Sequence, residues 1–402
     1  MPDTTNGKRT IDSVGRRAFL GALGTGAALS VGVGSAAAQD VTLIDSCTTI
    51  TEPGQYRLTQ DLESSFVSDT GPEGEDAVDE SEVCIEILAN DVHFDGDGYT
   101  LTNPAERELG QLGVTTSFDA TQSNVTIENV TSVGWEAGFA YVNTSGGALR
   151  NVTARGNEIG IAAFQSDDAT IADATVEGGI GGISLQEVDN STVAGLTAEE
   201  NSLFGLAFFI ARNNTVCNAT ISETGADPEP DPVGDVEAPP GEEGEPEFEP
   251  TGISIGDASN NRIVDSTVTS SSDWDVFVSD GASDNPITNL DLDSATVSLD
   301  GQDFAVRAVD DPPEDPEELA NVGGYVAAAD RGENPSLDLD MHYQDDDVAD
   351  VGVDEETLRL WAFVEEWTEM DDSSVNAEAN IVSALLEEFD PDGRVFGSFG
   401  ET

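Results

Sequence analysis

Short apolar and polar positions alternate along the middle of the chain, and the alternation repeats. The stretch NVTIENVT at 124–131 returns as GALRNVTA at 147–154, ATIADATV at 169–176, STVAGLTA at 191–198, NTVCNATI at 214–221 and NRIVDSTV at 261–268. Aligned, these segments put Ile127, Leu149, Ile171, Val193, Val216, Ile263 and Ile287 in one column, with steps of 22, 22, 22, 23, 47 and 24 residues. The step of 47 is one period plus an insertion. Four positions on, the column reads Thr131, Thr153, Thr175, Thr197, Thr220 and Thr267, then Asp291. A second apolar segment follows each of the first: GFAY at 138, GIAA at 160, GISL at 182, GLAF at 205 and GISI at 252.

A fixed period in the low twenties, built from β-branched segments and Gly/Asn punctuation, predicts a solenoid. One coil cannot bury its own apolar face, whereas like residues stacked about 4.8 Å apart make a continuous core. The Leu-x-x-Leu-x-Leu spacing of leucine-rich repeats is missing, and no segment follows the 3.6-residue period of a helix. The pattern therefore predicts an all-β chain whose main body is a right-handed parallel β-helix with coils of about 22 residues. Two positions after the apolar column stand Asn129, Asn151, Asp173, Gly195, Asn218, Asp265 and Asn289. Asn and Asp tolerate left-handed backbone at a bend, so this column is expected to form a ladder inside the coil.

From about residue 318 the repeat stops. The segments SLDLDMHY, TLRLWAFVEEW, ANIVSALL and RVFGSF, separated by turn formers, predict a small β-sandwich over 319–402, with 309–318 as the linker. At the other end, paired Arg16 and Arg17, an apolar small-residue run and an Ala-x-Ala site ending at Ala38 predict a twin-arginine signal peptide over 1–38. That leaves 39–308 for the β-helix. No other long apolar run predicts a membrane span in the mature chain.

Charge changes the picture next. The chain has 402 residues, 81 acidic against 14 basic, a net charge of −67, and Lys8 is its only lysine. Without residues 1–38, 79 acidic side chains face 10 arginines, a charge of −69. This composition is that of proteins adapted to brine, where the Debye length shrinks to about 3 Å at 1 M salt and carboxylates scarcely repel. It also argues against nucleic acid as a partner, because no basic patch exists to meet phosphates.

The β-helix segment, with the opening CTTITEPGQYRLTQDL and CIEILANDVHFDGDGYTL, resembles the secreted parallel β-helix proteins of haloarchaea: the NosD-type family and the pectate-lyase-like superfold. The C-terminal part resembles modules of haloarchaeal surface proteins. The resemblance implies an extracellular or cell-surface protein. The superfold hosts lyases, hydrolases, epimerases and binders, so it does not fix an activity.

Three insertions interrupt the coils, at 66–82, 102–112 and 222–250, each before a strand of the second set. They are expected to project from one edge, where they either wall a groove or are simply acidic, Pro-rich insertions tolerated because they do not disturb the stacking. Catalytic candidates are few. Asp167 and Asp168 are adjacent carboxylates within the repeats, but they share a turn column with Asn190, Asn213 and Asn260, which favours a turn role. The Arg, Gly-His-Gly and Asp-Pro-His-Asp arrangements that the resemblance would imply for lyases, hydrolases and epimerases are missing. Copper would need clustered His, Met or Cys, and the mature chain offers only His93, His342, Met341, Met370 and its cysteines. Calcium candidates are Asp95 and Asp97, with Asp345 to Asp347 behind them; no other cofactor is implied.

Cys47 and Cys84 lie 37 residues apart, one coil once the first insertion is discounted, and are expected to form a disulfide. Closing that loop would contribute about 4 kcal/mol in the chain-entropy account. Cys217 is left over, at an outward or edge position. Seven Asn-x-Ser/Thr sites occur, three of them in the bend column and so generated by the repeat itself, and glycans are expected at most on loop positions such as Asn143. The function expected from the sequence is non-catalytic: binding of an extended glycan, or a rigid element of the cell envelope. The alternatives are a polysaccharide lyase or hydrolase, and a NosD-like copper accessory protein.

The charge generates the first test. Lowering the salt should destabilise the fold by self-repulsion, so the melting temperature followed by circular dichroism should climb with potassium chloride. A flat response would remove the brine interpretation.

Overall fold

The computed structural model describes residues 41–68, 81–104, 110–225, 249–279, 281–387 and 389–402. The segment 1–38 and most of the insertions lie outside them. The described chain winds into a right-handed parallel β-helix that ends in antiparallel strands. Two sheets carry it. In sheet A each coil contributes two short strands on either side of a bend, as in Thr170–Ala172 and Thr175–Glu177. In sheet B each coil contributes one longer strand, such as Gly181–Gln186.

The repeat columns are the register of sheet A. Ile127 pairs with Leu149, Leu149 with Ile171, Ile171 with Val193, Val193 with Val216, and Val216 with Ile263, all parallel. The threonine column stacks in the same way from Thr131 to Thr267 and meets Asp291 at its end. The apolar column is buried, and the bonds between coils satisfy the strands' peptide groups. The recurring glycine of the second segment has a steric cause. A Cβ on Gly160 would lie 2.7 Å from Val176 Cγ1, and one on Gly182 would lie 2.2 Å from the Gly205 carbonyl oxygen.

The bend column corrects the expectation of an inner ladder. Asn129, Asn151, Asp173, Asn218, Asp265 and Asn289 do adopt left-handed backbone, with φ between 48° and 56°. Their side chains, however, are exposed or half-buried on the outside. Asn151 donates to Asn129 Oδ1 (2.8 Å), Asn129 to Asp95 Oδ1 (3.0 Å) and Asn289 to Asp265 Oδ1 (2.6 Å). The run of such bonds breaks where Asp has no N–H to give and where Gly195 has no side chain.

The buried ladder stands at a different corner, one residue after the turn asparagines Asn190, Asn213 and Asn260. Ser191, Asn214, Asn261 and Asn285 point inward there. The Asn214 and Asn261 amides each donate twice to the next Oδ1, at 2.9 to 3.0 Å, and Asn261 also donates to the Ala211 carbonyl at 2.9 Å. A left-handed residue turns its own side chain out and its successor's in.

The two sheets do not stop where the coils do. Trp274–Val278 of sheet B pairs antiparallel with Phe304–Ala308, which pairs with the long strand Leu319–Asp330. Ile287–Asp291 of sheet A pairs with Thr296–Gln302, and that strand with Ser336–His342. The two walls of the helix thus continue as the two layers of the C-terminal sandwich. One apolar core runs from Ile44 to Phe396. Residues 309–318 connect two strands that pair with each other. One short helix, Asp345–Val351, closes on Gly352 with φ 73°.

Substitutions at neighbouring asparagines should separate bend from ladder. Asn260→Gly, which keeps left-handed backbone, should change stability by a few tenths of a kcal/mol. Asn261→Ala leaves buried donors of Asn214 unpaired and should cost about 2–4 kcal/mol. Equal effects in urea unfolding would contradict the assignment.

Candidate functional site

The outer face of sheet B carries a partly exposed apolar surface. All three insertions return directly before a sheet B strand, namely Ser81–Ile87, Gln111–Thr116 and Thr251–Gly256. Along this face Phe204 pairs with Thr251, Ala207 with Ser254, and Phe209 with Gly256. Small residues on one coil beside aromatic residues on the next leave a hollow. It has a volume of about 450 Å³ and is lined by Phe204, Ala207, Phe209, Ser254 and Phe277, with Glu249 and Arg331 at the rim. Phe209 is 42% exposed. A second apolar patch lies on the same face, where Phe66, Phe118 and Phe164 pack on Val83, Leu112, Ala137, Ala140 and Val142.

Among the described residues, Glu249 and Arg331 are the charged members of that lining, and they face each other, Nη2 to Oε2 at 3.3 Å. Arg331 lies over the ring of Trp274, its Cζ 4.6 Å from the centroid, and Arg307 approaches the same ring at 5.1 Å. A cation on an aromatic face keeps its charge while shedding water, and Arg331, its side chain 19% exposed, is held between the Trp274 ring and the Glu249 carboxylate. Next to Trp274 on the same strand, Asp275 is buried. Burial pushes its carboxyl up to about 6, although it accepts a hydrogen bond from the Ala308 amide at 2.8 Å. The hollow therefore offers ring faces, small hydroxyls and one guanidinium. Its described lining holds one carboxylate, that of Glu249.

The other predicted residues lie elsewhere. Asp167 and Asp168 stand in the turn between Ile159–Phe164 and Thr170–Ala172; Asp168 has φ 54°, and Asp167 Oδ1 accepts from the Asp189 amide at 3.0 Å. Asp95 bonds Arg57 at 3.2 Å and receives Asn129 and the Asp97 amide. Partial burial raises its pKa, yet those hydrogen bonds, with the Arg57 and His93 charges, hold it below the usual carboxylate range. Asp345, Asp346 and Asp347 begin the short helix, where Asp345 accepts from Asn380 at 2.7 Å. His93 contacts Glu128 at 2.8 Å, and His342 contacts Ser298 Oγ at 2.8 Å, while Met341 is buried on the opposite side of its strand. Among the described residues no three His, Cys, Asp or Glu side chains come together to hold a metal ion. Cys47 and Cys84 form a disulfide with Cα atoms 4.5 Å apart, and Cys217 is a half-buried free thiol. Asn143 uses its amide nitrogen on the Phe118 carbonyl at 2.8 Å, whereas Asn190 and Asn213 are exposed.

Sequence reasoning found the corner from which the insertions leave but not the hollow. Phe209, Phe277 and Arg331 are far apart in the chain, and only the coil register brings them together. The one available signal was the change from small to aromatic side chains in the second segment, from GISL to GLAFF.

Residues 113–292 match a family model described as "Right handed beta helix region". Among solved structures, a double mutant of the periplasmic alginate epimerase AlgG aligns with 60% of this chain and 55% of its own, at 15% identity and a TM-score of 0.43. Geobacillus virus E2 ORF18 aligns with 87% of this chain and 70% of its own, at 9% identity and a TM-score of 0.45. DFA-IIIase from Arthrobacter chlorophenolicus A6, in complex with GF2, aligns with 61% and 68% at 13% identity, TM-score 0.36. The chain spans between 55% and 63% of the length of the first three epimerase structures it matches. These likenesses concern the fold. No curated protein matches the sequence. No helix among the described residues is long and apolar enough to cross a membrane.

Asp275 gives a test of the strand beneath the hollow. Its folded pKa lies above the ordinary 3.8, so the carboxylate costs stability at neutral pH. That cost is full above pH 6, shrinks as pH falls through 6 and is gone below 3.8. The shift corresponds to about 3 kcal/mol. Asp275→Asn should therefore stabilise the protein at pH 7.5, with the gain disappearing towards pH 4. A gain independent of pH would contradict the assignment.

Proposed function

We propose that this is a non-catalytic glycan-binding protein of the cell exterior, which lays an extended polysaccharide on the outer face of sheet B. The observation that carries this reading is the aromatic hollow with Arg331 at its rim, in a protein of net charge −67. Sugar rings present apolar C–H faces to aromatic side chains and hydroxyls to a guanidinium, and the lining supplies both partners. Stacked coils also repeat about every 4.8 Å, so a polymer can meet similar groups more than once. The Cys47–Cys84 disulfide fits an oxidising compartment, which agrees with export by the twin-arginine signal expected at 1–38. A structural role in the envelope is compatible with the same surface.

The purified protein, in molar salt, would be mixed with alginate, pectate and envelope polysaccharide, and co-sedimentation and chain length followed together. Binding without shortening or epimerisation is the expected outcome. Removing a stacked ring is worth about 1.4 kcal/mol, so Phe209→Ala should weaken binding about tenfold. Cleavage or epimerisation of any of these polymers would overturn the non-catalytic reading. Binding unchanged by Phe209→Ala and Arg331→Gln would place the glycan elsewhere.

A further inference from the structure

The connection 309–318, VDDPPEDPEE, lies against a second aromatic surface on the C-terminal part of sheet B. Tyr325, Trp361, Phe363 and Phe399 come from three paired strands, and Trp367 joins them across a short hairpin. Trp367 meets Phe399 at 4.7 Å and Phe363 at 5.3 Å between centroids, both edge to face, and Tyr325 stands 6.2 Å away. The connection is fastened to these rings. Trp367 Nε1 donates to the Glu314 carbonyl at 2.8 Å, the Tyr325 hydroxyl donates to Asp315, and the Val309 amide donates to the Tyr325 carbonyl at 3.3 Å. Pro313 and Pro316 are half-buried.

The same ten residues carry six carboxylates, on Asp310, Asp311, Glu314, Asp315, Glu317 and Glu318, and all six residues are exposed. The hairpin that bears Trp367 adds exposed Glu365, Glu366 and Glu369; the nearby cation Arg359 sits 3.9 Å from Glu369. Hydrogen bonds from Trp367, Tyr325 and Val309 thus hold a strongly anionic strap against an anionic surface. The attraction acts at contact and responds little to salt. The repulsion acts over a Debye length, about 10 Å at 0.1 M and about 3 Å at 1 M.

We infer that residues 309–318 form a salt-gated strap, closed over the aromatic face at molar salt and released at low salt while the coiled core stays folded. The core resists release because its strands are hydrogen-bonded on both sides and share one apolar interior, whereas the strap is held mainly at three points.

The test uses the intact protein, with tryptophan emission and acrylamide quenching read beside far-ultraviolet circular dichroism as potassium chloride is lowered from molar to about 0.1 M. The expected result is a red shift and a severalfold rise in quenching at a salt concentration where the β signal is still complete. Trp367→Phe should lose most of that change. Neutralising Asp310, Asp311, Glu314, Glu317 and Glu318 to Asn or Gln, with Asp315 kept for Tyr325, should hold the closed signal down to the lowest salt. The inference is overturned by an emission change that coincides with loss of the β signal, by a neutralised strap that responds as the parent does, or by a flat response in the parent.

Discussion

The structure depends on one constraint: every coil must present its peptide groups in register to the next coil. The pairing of Ile127 with Leu149 and of Leu149 with Ile171 places like side chains above one another, and each substitution is felt by two neighbours. This is why the sequence repeats with so little drift in its apolar column and with so much freedom elsewhere. The recurring glycine obeys the same constraint, since the space where its side chain would stand is taken by the facing wall or by the next coil's carbonyl. The conserved dimension is the spacing of the coils, and side chains are chosen to fit it.

The fold was legible because stacking imprints a period on the chain. The strands, the coil length and the pairing of Cys47 with Cys84 can all be read from that period. The ladder was misplaced for a reason that the period hides. Asn129 and Asn214 are the same residue type at two corners of the coil, but the first occupies a left-handed bend and turns outward, while the second follows one and turns inward. Residue type does not distinguish the two, whereas the sign of φ at the preceding position does. The C-terminal strands were legible as strands. Their continuity with the helix walls was not, because the pairing of Phe304–Ala308 with Leu319–Asp330 joins segments of quite different composition.

The hollow on sheet B was the least legible feature. Its rings come from two coils, Phe204 and Phe209 from one and Phe277 from another, and its cation comes from beyond the last coil, in the turn after Leu319–Asp330. Nothing in the local sequence around Arg331 marks it. It becomes notable only when it lies over Trp274 and opposite Glu249. The continuation of the two walls into the sandwich is what brings it there. The end of the helix therefore contributes to the surface of its middle, and a chain truncated after the coils would lack the cation.

The disulfide has a mechanical side. Pulled along its axis, a stack of coils joined by hydrogen bonds parts one coil at a time, as a zip does. Cys47 sits in the first coil and Cys84 in the next. Tension entering through the N-terminal end is therefore passed to the second coil by a covalent bond. The first described coil, which has a described neighbour on one side only, is thus not the one that peels away first. A force applied at that end would load the interior of the stack, where each coil is held from both sides.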